Sequence, residues 1–318
     1  MAQHFLLTAA ARTLSLKAVF RMGEDKAYQT FCAIRWADTD GTPVCPRCGC
    51  VESYSISTRR RFKCVGCHHQ FSVTSGTIFA SRKLSFTDLL AAIAIFVNGA
   101  KGISALQMSR DLDVQYKTAF VLSHKLREAM AIEAPGILTG TVEVDGAYFG
   151  GYVKPANHKA NRLDRRLIAN QSGKRQSVII MRERKGRSLT YVAKREADGI
   201  AAVNAFVADG SVINADEASH WDVLHGRYAA QRINHSECYS DGIACTNMAE
   251  SFFSRLRRAE IGTHHSIAGP YLAAYAREMA WREDYRRVSN GGQFGMLVAG
   301  ATASGVSRQW KGYWQRAS

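Results

Sequence analysis

Four cysteines near the N-terminus constrain this 318-residue chain more than any other feature. They form two Cys-x2-Cys pairs that are separated by fifteen residues, and this spacing is typical of a four-thiolate zinc site. Each pair can present two thiolates to one tetrahedral ion, and the metal then stabilises the short hairpin between the pairs. The expected ligands are Cys45, Cys48, Cys64 and Cys67. Buried free thiols or a redox pair are the alternative, and Cys50 is left out of the ligand set.

The chain carries a large excess of positive charge. Lys and Arg number 42 against 27 Asp and Glu, which gives a net charge of +15. Because 46% of the residues are hydrophobic, the charge belongs to a folded protein, and a polyanion is the first partner to consider. Between the cysteine pairs, Arg59, Arg60 and Arg61 are expected to contact phosphates. A solvated charged face is the alternative for each of them.

Residues 84–135 have the apolar periodicity of three helices. In the first helix, apolar side chains recur at three- and four-residue steps from Phe86 to Val97, a run that is too short to span a membrane. A second helix is expected from Ser104, and a third after a break at Asp113. The last two helices resemble a helix-turn-helix, although plain three-helix packing explains the same spacing.

The third helix is expected to present polar side chains to DNA. Gln115 and Lys117 lie in its first turn, where a recognition helix faces the base edges. His124, Lys125 and Arg127 are expected to follow on its exposed side. The charge of the whole chain favours DNA contact at this helix.

The second half of the chain alternates between strand and helix patterns. Strands are expected at 141–145, 177–180, 189–192 and 212–215, with a helix at 201–207 before the last strand. This order predicts a mixed sheet with helices packed on it.

Three carboxylates in this half are candidates for a divalent-metal centre. Asp145 and Asp216 are each expected to end a strand, and Glu250 lies at the start of a helix. Oxygen ligands suit Mg²⁺, and two ions held by acidic residues support phosphoryl transfer. Arg257 falls seven residues after Glu250 on nearly the same helical face, suited to a phosphate. Turn chemistry for the aspartates, and a capping box from Asn247 to Glu250, are the alternatives.

Several short motifs, taken in order, resemble the insertion-sequence transposases of the ISXO type. They occupy residues 145–151, 216–221, 233–236, 247–254 and 262–265, within a resemblance that runs from about residue 14 to 288. That family joins a zinc ribbon and a helical DNA-binding region to a DDE nuclease domain with an RNase H-like fold.

The resemblance implies a role for each acidic candidate. Asp145 and Asp216 become the first and second metal-binding acids and Glu250 the third, with Asn247 also available at the third position. The family's basic residue, usually Lys, falls at Arg257. Arg keeps the positive charge of Lys, but a planar guanidinium replaces the compact ammonium group.

A strongly basic segment lies between two of the expected strands. Residues 154–187 contain eleven Lys or Arg and only two Asp or Glu. Arg162, Arg165 and Arg166 belong to its dense part, and beside a two-metal site such a segment would follow a phosphate backbone. A solvated loop is the alternative.

The expected fold class is α+β multidomain, with a zinc ribbon, a helix-turn-helix region and an RNase H-like mixed α/β nuclease domain. The expected domains are an N-terminal helical segment at 1–40, the zinc ribbon at 41–80, the helix-turn-helix region at 84–135, the nuclease domain at 138–290 and a C-terminal tail at 291–318.

The expected function is that of a DNA transposase with two Mg²⁺ or Mn²⁺ ions and a structural Zn²⁺. Its expected partners are double-stranded DNA, as element terminal repeats and as target, and further copies of itself on that DNA. No signal-peptide order is present at the N-terminus, so a bacterial cytoplasmic, nucleoid-associated protein without a membrane partner is expected. The alternatives are an inactive or domesticated DNA-binding protein, and a metal-dependent endonuclease that cuts without joining.

Overall fold

A computed structural model divides the chain into two compact units. The first comprises Met1–Glu133 with Tyr285–Ser318, and the second comprises Ala134–Asp284. The segment expected as a C-terminal tail therefore belongs to the first unit. The structure describes residues 4–131, 136–151, 155–164, 167–170, 172–216, 218–233 and 245–313.

The helices and strands are numbered in chain order. The helices are α1 (Leu16–Phe20), α2 (Glu24–Arg35), α3 (Phe86–Asn98), α4 (Ala105–Asp111), α5 (Tyr116–Met130), α6 (Gly199–Phe206), α7 (Asn247–Ala259), α8 (Leu272–Asp284) and α9 (Asn290–Ala303). The strands are β1 (Ser53–Ile56), β2 (Arg61–Cys64), β3 (Gln70–Phe71), β4 (Thr141–Phe149), β5 (Gln176–Glu183), β6 (Ser188–Ala193), β7 (Val212–Asp216) and β8 (Ala229–Ile233).

A small antiparallel sheet lies in the first unit, where the zinc ribbon is expected. Its strands follow the order β1-β2-β3. The connection from β1 to β2 passes through Arg60, whose φ of 46° lies in the left-handed region. On β2, the ring of Phe62 contacts those of Trp36 and Phe71. A small aromatic cluster therefore supports the hairpin.

The helices of the first unit pack around α3. A capping box starts this helix, because the Ser85 hydroxyl accepts from the Asp88 N–H and the Asp88 carboxylate accepts from the Ser85 N–H. Ten of its thirteen residues are buried, and α1, α2 and α9 pack against it. The apolar run identified in the sequence is thus a core helix of this unit.

A tight turn joins α4 to α5. Asp113 in this turn has a φ of 50°, Gln115 is the N-cap of α5, and Lys117 lies in its first turn. Gln115 and Lys117 are both exposed. This arrangement agrees with the helix-turn-helix pattern expected from the sequence.

The expectation that His124 and Arg127 lie on an exposed side of α5 is wrong. His124 is 1% exposed and stacks on the ring of Trp310 with centroids 4.2 Å apart. Arg127 is buried, and its guanidinium lies 5.5 Å from the centroid of the Phe96 ring. The cause is that α9 and the segment after it cover this face of α5.

The second unit contains a five-stranded mixed sheet. Its strand order is β6-β5-β4-β7-β8, with β4 antiparallel to β5 and parallel to β7. Strand β8, parallel to β7, was not identified from the sequence. Together with the zinc-ribbon region and the helices, this sheet confirms the α+β multidomain class and the mixed sheet expected in the second half of the chain.

Helices cover both faces of this sheet. Val178 and Ile180 on β5 belong to a core with α7 and α8, whereas Ile179 and Met181 belong to a core with α6. Alternate residues of one strand thus face opposite layers. β5 is buried on both sides, which explains its continuous apolar sequence.

Strand β4 is longer than predicted, and the expectation that Asp145 ends it is wrong. β4 continues to Phe149, which pairs with Gln176 on β5. The reason is that Phe149 is buried in the core with α7 and α8, which keeps this end in the sheet. Pairing with β7 stops earlier, where Val144 lies opposite Ala215. Asp145 therefore lies where β4 separates from β7.

Candidate metal centres and functional site

The four cysteines of the ribbon converge on one point. Their Sγ atoms all lie within 4.8 Å of one another. The Cys45 and Cys67 sulfurs are 3.6 Å apart, and the Cys48 and Cys64 sulfurs are 3.5 Å apart. A zinc tetrahedron with Zn–S bonds of about 2.3 Å has edges of about 3.8 Å. The donor set therefore fits one zinc ion.

The thiols of this group shift one another's pKa in opposite directions. Burial raises the pKa of Cys45, but the backbone N–H groups of Arg47 and Cys48, together with the thiols of Cys67 and Cys48, lower it to about 7. The Cys50 N–H lowers the pKa of Cys48, but the thiols of Cys67 and Cys64 raise it to about 12. A low pKa favours the thiolate, which is the form that binds metal. The Cys50 sulfur instead lies 3.7 Å from the Glu52 carbonyl oxygen. Cys50 thus lies outside this group, in agreement with the ligand set expected from the spacing.

A second cluster of ligand atoms lies in the other unit, at the carboxyl end of the central strands. Carboxylate oxygens of Asp145, Glu196 and Asp216 lie within 4.8 Å of one another. Asp145 and Asp216 come from neighbouring parallel strands, whose carboxyl ends meet at one edge of the sheet. Oxygen ligands of one octahedral Mg²⁺ are about 3 to 4 Å apart. The three carboxylates therefore fit a divalent cation.

Glu250 lies near this cluster, in the first turn of α7. Burial, together with the charges of Asp216, Glu196 and Glu250, raises the pKa of Asp145 to about 7. The Gly146 N–H donates to this carboxylate at 2.7 Å and opposes the shift. Burial and the charge of Asp216 likewise raise the pKa of Glu196. Four carboxylates thus share one partly buried region, which a bound cation would neutralise.

A buried glutamate on β4 holds the start of α7. The Glu143 carboxylate is 0% exposed and accepts from the backbone N–H groups of Met248 at 2.8 Å and Ala249 at 3.2 Å. It also pairs with Arg184 at 3.3 Å. These bonds satisfy N–H groups that the first turn of a helix leaves without internal partners.

The capping-box alternative for Glu250 does not hold. The N-cap of α7 is Thr246, whose side chain makes no capping hydrogen bond, and Asn247 is already inside the helix. Asn247 is exposed, whereas Glu250 is partly buried. Glu143 performs the capping from another element, so Glu250 has no such role.

Comparison with known protein families gives two matches. The ISXO2-like transposase domain matches residues 137–284, and the transposase zinc-ribbon domain matches residues 22–70. Together the two ranges span more than half of the chain. The chain belongs to the ISXO-type insertion-sequence transposases. It matches no curated protein and no solved structure.

The family assignment extends to the general chemistry of the two metal sites. The zinc ribbon of the transposase indicates a structural zinc, and its DDE domain indicates a divalent metal and transposase or nuclease activity. Both domains indicate DNA as the partner. Within the described ranges, no helix combines the length and apolarity needed to cross a membrane.

The cations expected to contact DNA lie in different surroundings. Arg59 and Arg61 are exposed on the hairpin of the ribbon. Arg60 between them instead forms ion pairs with Glu24 at 3.2 Å and Asp25 at 2.6 Å. Arg162 is exposed, and its Nε donates to the Ala156 carbonyl oxygen. Among the sequence-based candidates, Arg165 and Arg166 lie outside the described residues.

Arg257 lies on the exposed side of α7. Its guanidinium carbon lies 5.3 Å from the centroid of the Phe149 ring at the end of β4. The aromatic ring supports the cation without using its N–H donors. The guanidinium of Arg257 therefore lies beside an aromatic ring, and its N–H groups can bind a phosphate.

Glu196 is the member of the carboxylate cluster that sequence reasoning missed. It lies in the stretch Arg-Glu-Ala-Asp at 195–198. This charged sequence is typical of a surface turn and does not indicate a metal ligand. The weak signal is Gly146, a glycine inside a strand, which often marks a close approach of another group. The role of Glu143 was also missed. The residues next to a glutamate in a strand sequence do not indicate whether its carboxylate is buried or exposed.

Proposed function

We propose that this transposase binds the inverted-repeat ends of its insertion sequence and catalyses Mg²⁺-dependent strand cleavage and strand transfer. The observation that carries the proposal is the convergence of Asp145 and Asp216 with further carboxylates at the end of the central strands. Carboxylates of this kind suit Mg²⁺, and Mn²⁺ has the same oxygen preference.

Asp145, Asp216 and Glu250 would hold two divalent ions. Such a pair, when bound, would supply Lewis-acid activation of the attacking oxygen and stabilisation of the leaving oxygen. The role of the protein is to fix the carboxylates, and the hydrogen bonds from α7 to Glu143 serve this purpose for Glu250. Arg257 on the same helix would bind a phosphate of the DNA strand.

The remaining proposed DNA contacts come from the ribbon, α5 and the basic segment. Arg59 and Arg61 are suited to phosphates, and Gln115 and Lys117 at the start of α5 are suited to base edges. Arg162 and its neighbours Arg165 and Arg166 would follow the backbone of the strand that is cut. The zinc has a structural role in the ribbon.

We further expect a multimer on DNA in the bacterial cytoplasm, associated with the nucleoid. Two element ends must be held together before both are joined to a target, and one catalytic centre serves one end at a time. Size measurements of the protein with and without element-end DNA test this expectation.

Product analysis tests the proposed function. The wild-type protein is incubated with element-end DNA and a supercoiled target in Mg²⁺, in Mn²⁺ and in EDTA. Covalently joined products that require the metal support a transposase. Cut ends without joined products would identify an endonuclease. Bound but intact DNA would identify a DNA-binding protein without catalytic activity.

The third metal-binding position is tested in the same reaction with Glu250→Gln and Asn247→Ala. We expect the first substitution to abolish joining, because a neutral amide replaces one of the proposed metal-binding carboxylates. The second should retain joining, because Asn247 is exposed at the first residue of α7. The reverse result would move the third role to Asn247.

A further inference from the structure

Glu196 comes from the segment that joins β6 to α6. It begins a one-turn 3-10 helix, Glu196–Asp198. The Asp198 carboxylate holds this turn, because it accepts from the Arg195 N–H at 3.1 Å and pairs with the Arg195 guanidinium at 2.9 Å. The Glu196 N–H in turn faces the Tyr148 hydroxyl oxygen on β4 at 3.4 Å. The backbone that carries Glu196 is therefore fixed to the strand that carries Asp145.

The Glu196 side chain lies in space that Gly146 leaves open. A Cβ atom at Gly146 would lie 2.3 Å from Cγ and 2.4 Å from Cδ of Glu196. Gly146 does not have a positive φ, so its backbone conformation is open to any residue. A methyl group at this position would therefore have to displace the Glu196 side chain, so the glycine leaves room for this carboxylate.

Glu196 and Glu250 belong to different layers of the fold. The segment that carries Glu196 leads into α6, which packs on one face of the sheet, whereas α7 packs on the other. Asp145 and Asp216 lie at the sheet edge between these layers. The two glutamates thus provide carboxylates from opposite sides of the aspartate pair, which suits two adjacent ions. His220 approaches Glu196 at 3.6 Å, from the segment after β7.

We propose that Glu196 is a fourth carboxylate ligand of the divalent-metal centre and shares one ion with Asp145 and Asp216. This inference rests on the proposed function, because it assigns a ligand to the metal centre of that function. Its grounds are the mutual distances of the three carboxylates, the space at Gly146 and the fixed turn. A glutamate that served only to start α6 would not need the side chain of residue 146 to be absent.

The test measures Mn²⁺ binding to the full chain without DNA, by the electron paramagnetic resonance signal of free Mn²⁺. We expect Glu196→Gln to weaken binding at least about tenfold, because a neutral amide replaces a carboxylate ligand. The control is Asp209→Asn, which removes one negative charge from an exposed ion pair of the same unit. It should bind Mn²⁺ within about twofold of wild type. Equal weakening in both variants would overturn the proposal, because charge alone would then explain the loss.

A second set of variants changes the space beside the Glu196 carboxylate. Gly146→Ala should weaken Mn²⁺ binding about as much as Glu196→Gln, because the new methyl group displaces the Glu196 side chain. In a Glu196→Ala background the same Gly146→Ala change should have no further effect, because residue 196 no longer reaches position 146. Full affinity in Gly146→Ala, or independent effects of the two changes, would overturn the proposal.

Asp145→Asn separates this inference from the proposed function. If Asp145→Asn weakens Mn²⁺ binding while Glu196→Gln does not, the metal centre stands and the role of Glu196 is refuted. If neither change weakens binding, the proposed metal centre fails together with the inference.

Discussion

The buried carboxylate of Glu143 accepts a hydrogen bond from the backbone N–H of Met248 at 2.8 Å. Each of these residues lies two positions before an acidic residue of the candidate site. Glu143 precedes Asp145 on β4, and Met248 precedes Glu250 on α7. One contact between a strand and a helix N-terminus therefore sets the position of two metal-binding candidates relative to each other.

Glu143→Gln should lower the free energy of unfolding of the second unit by about 2 to 4 kcal/mol. The reason is that a backbone N–H of α7 and the Arg184 guanidinium lose the charged, buried carboxylate that accepts from them. Urea unfolding followed by Trp fluorescence measures this change. The control is Asp209→Asn, which removes the partner of Arg227 in an exposed ion pair and should leave the midpoint unchanged. A Glu143→Gln protein as stable as wild type would contradict this account of α7.

Asp284 should make stability depend on pH. Burial raises its pKa to about 6 from the ordinary 3.8, although the Ser188 hydroxyl and N–H donate to it. The folded state then binds this proton more tightly than the unfolded state. Stability should therefore fall by up to about 3 kcal/mol as the pH rises from about 4 to about 6.

Asp284→Asn does not titrate and should lack this fall. Urea unfolding at several pH values between 4 and 6.5 compares the two proteins. The wild type should lose its advantage over the variant as the pH rises. A constant difference across this range would show that burial does not raise the pKa of Asp284.

Zinc content should depend on Cys64 and not on Cys50. Cys64→Ser removes one of four converging thiolates and should release the metal, which unfolds the small sheet of the ribbon. Cys50→Ser changes a nearby thiol outside the group and should retain the zinc. Metal analysis by mass spectrometry after dialysis gives the stoichiometry. Loss of zinc in Cys50→Ser, or its retention in Cys64→Ser, would show that the ligand set is wrong.

Two neighbouring arginines of the ribbon should differ in their effect on DNA binding. Arg61→Ala should weaken binding to element-end DNA and reduce the dependence of log K on log salt by about one unit, because an exposed cation is lost. Arg60→Ala should change this slope little, because Arg60 already pairs with Glu24 and Asp25. Gel-shift titrations at several salt concentrations measure both. Equal slopes for Arg61→Ala and wild type would exclude Arg61 from the phosphate contacts.

Local patterns were enough to predict much of the fold. The cysteine spacing located the ribbon because the two ligand pairs lie at either end of one short hairpin. The apolar periodicity from Phe86 to Val97 located α3, and the short apolar run that begins at Val178 located β5. Each of these signals depends on residues close in sequence, where period and spacing determine which faces are buried.

Features that depend on distant parts of the chain were not predictable. The face of α5 with His124 and Arg127 is buried by α9, which lies more than 150 residues later. β4 extends past Asp145 because of cores formed with α7 and α8. Glu196 joins the carboxylate cluster through the pairing of strands, and no spacing in its own segment indicates this. Single-sequence patterns do not identify such partners, and Gly146 indicates only that some group approaches β4 closely.

The most direct test of the central claim is the rate of strand transfer in Mg²⁺ for wild type, Asp145→Asn and Asp216→Asn, with Asp209→Asn as a control outside the proposed ligand set. All four proteins should bind element-end DNA with similar affinity, because none of these residues is among the proposed DNA contacts. Joined products should form with wild type and the control and be absent with the other two. Joined products at the wild-type rate from Asp145→Asn or Asp216→Asn would contradict the account.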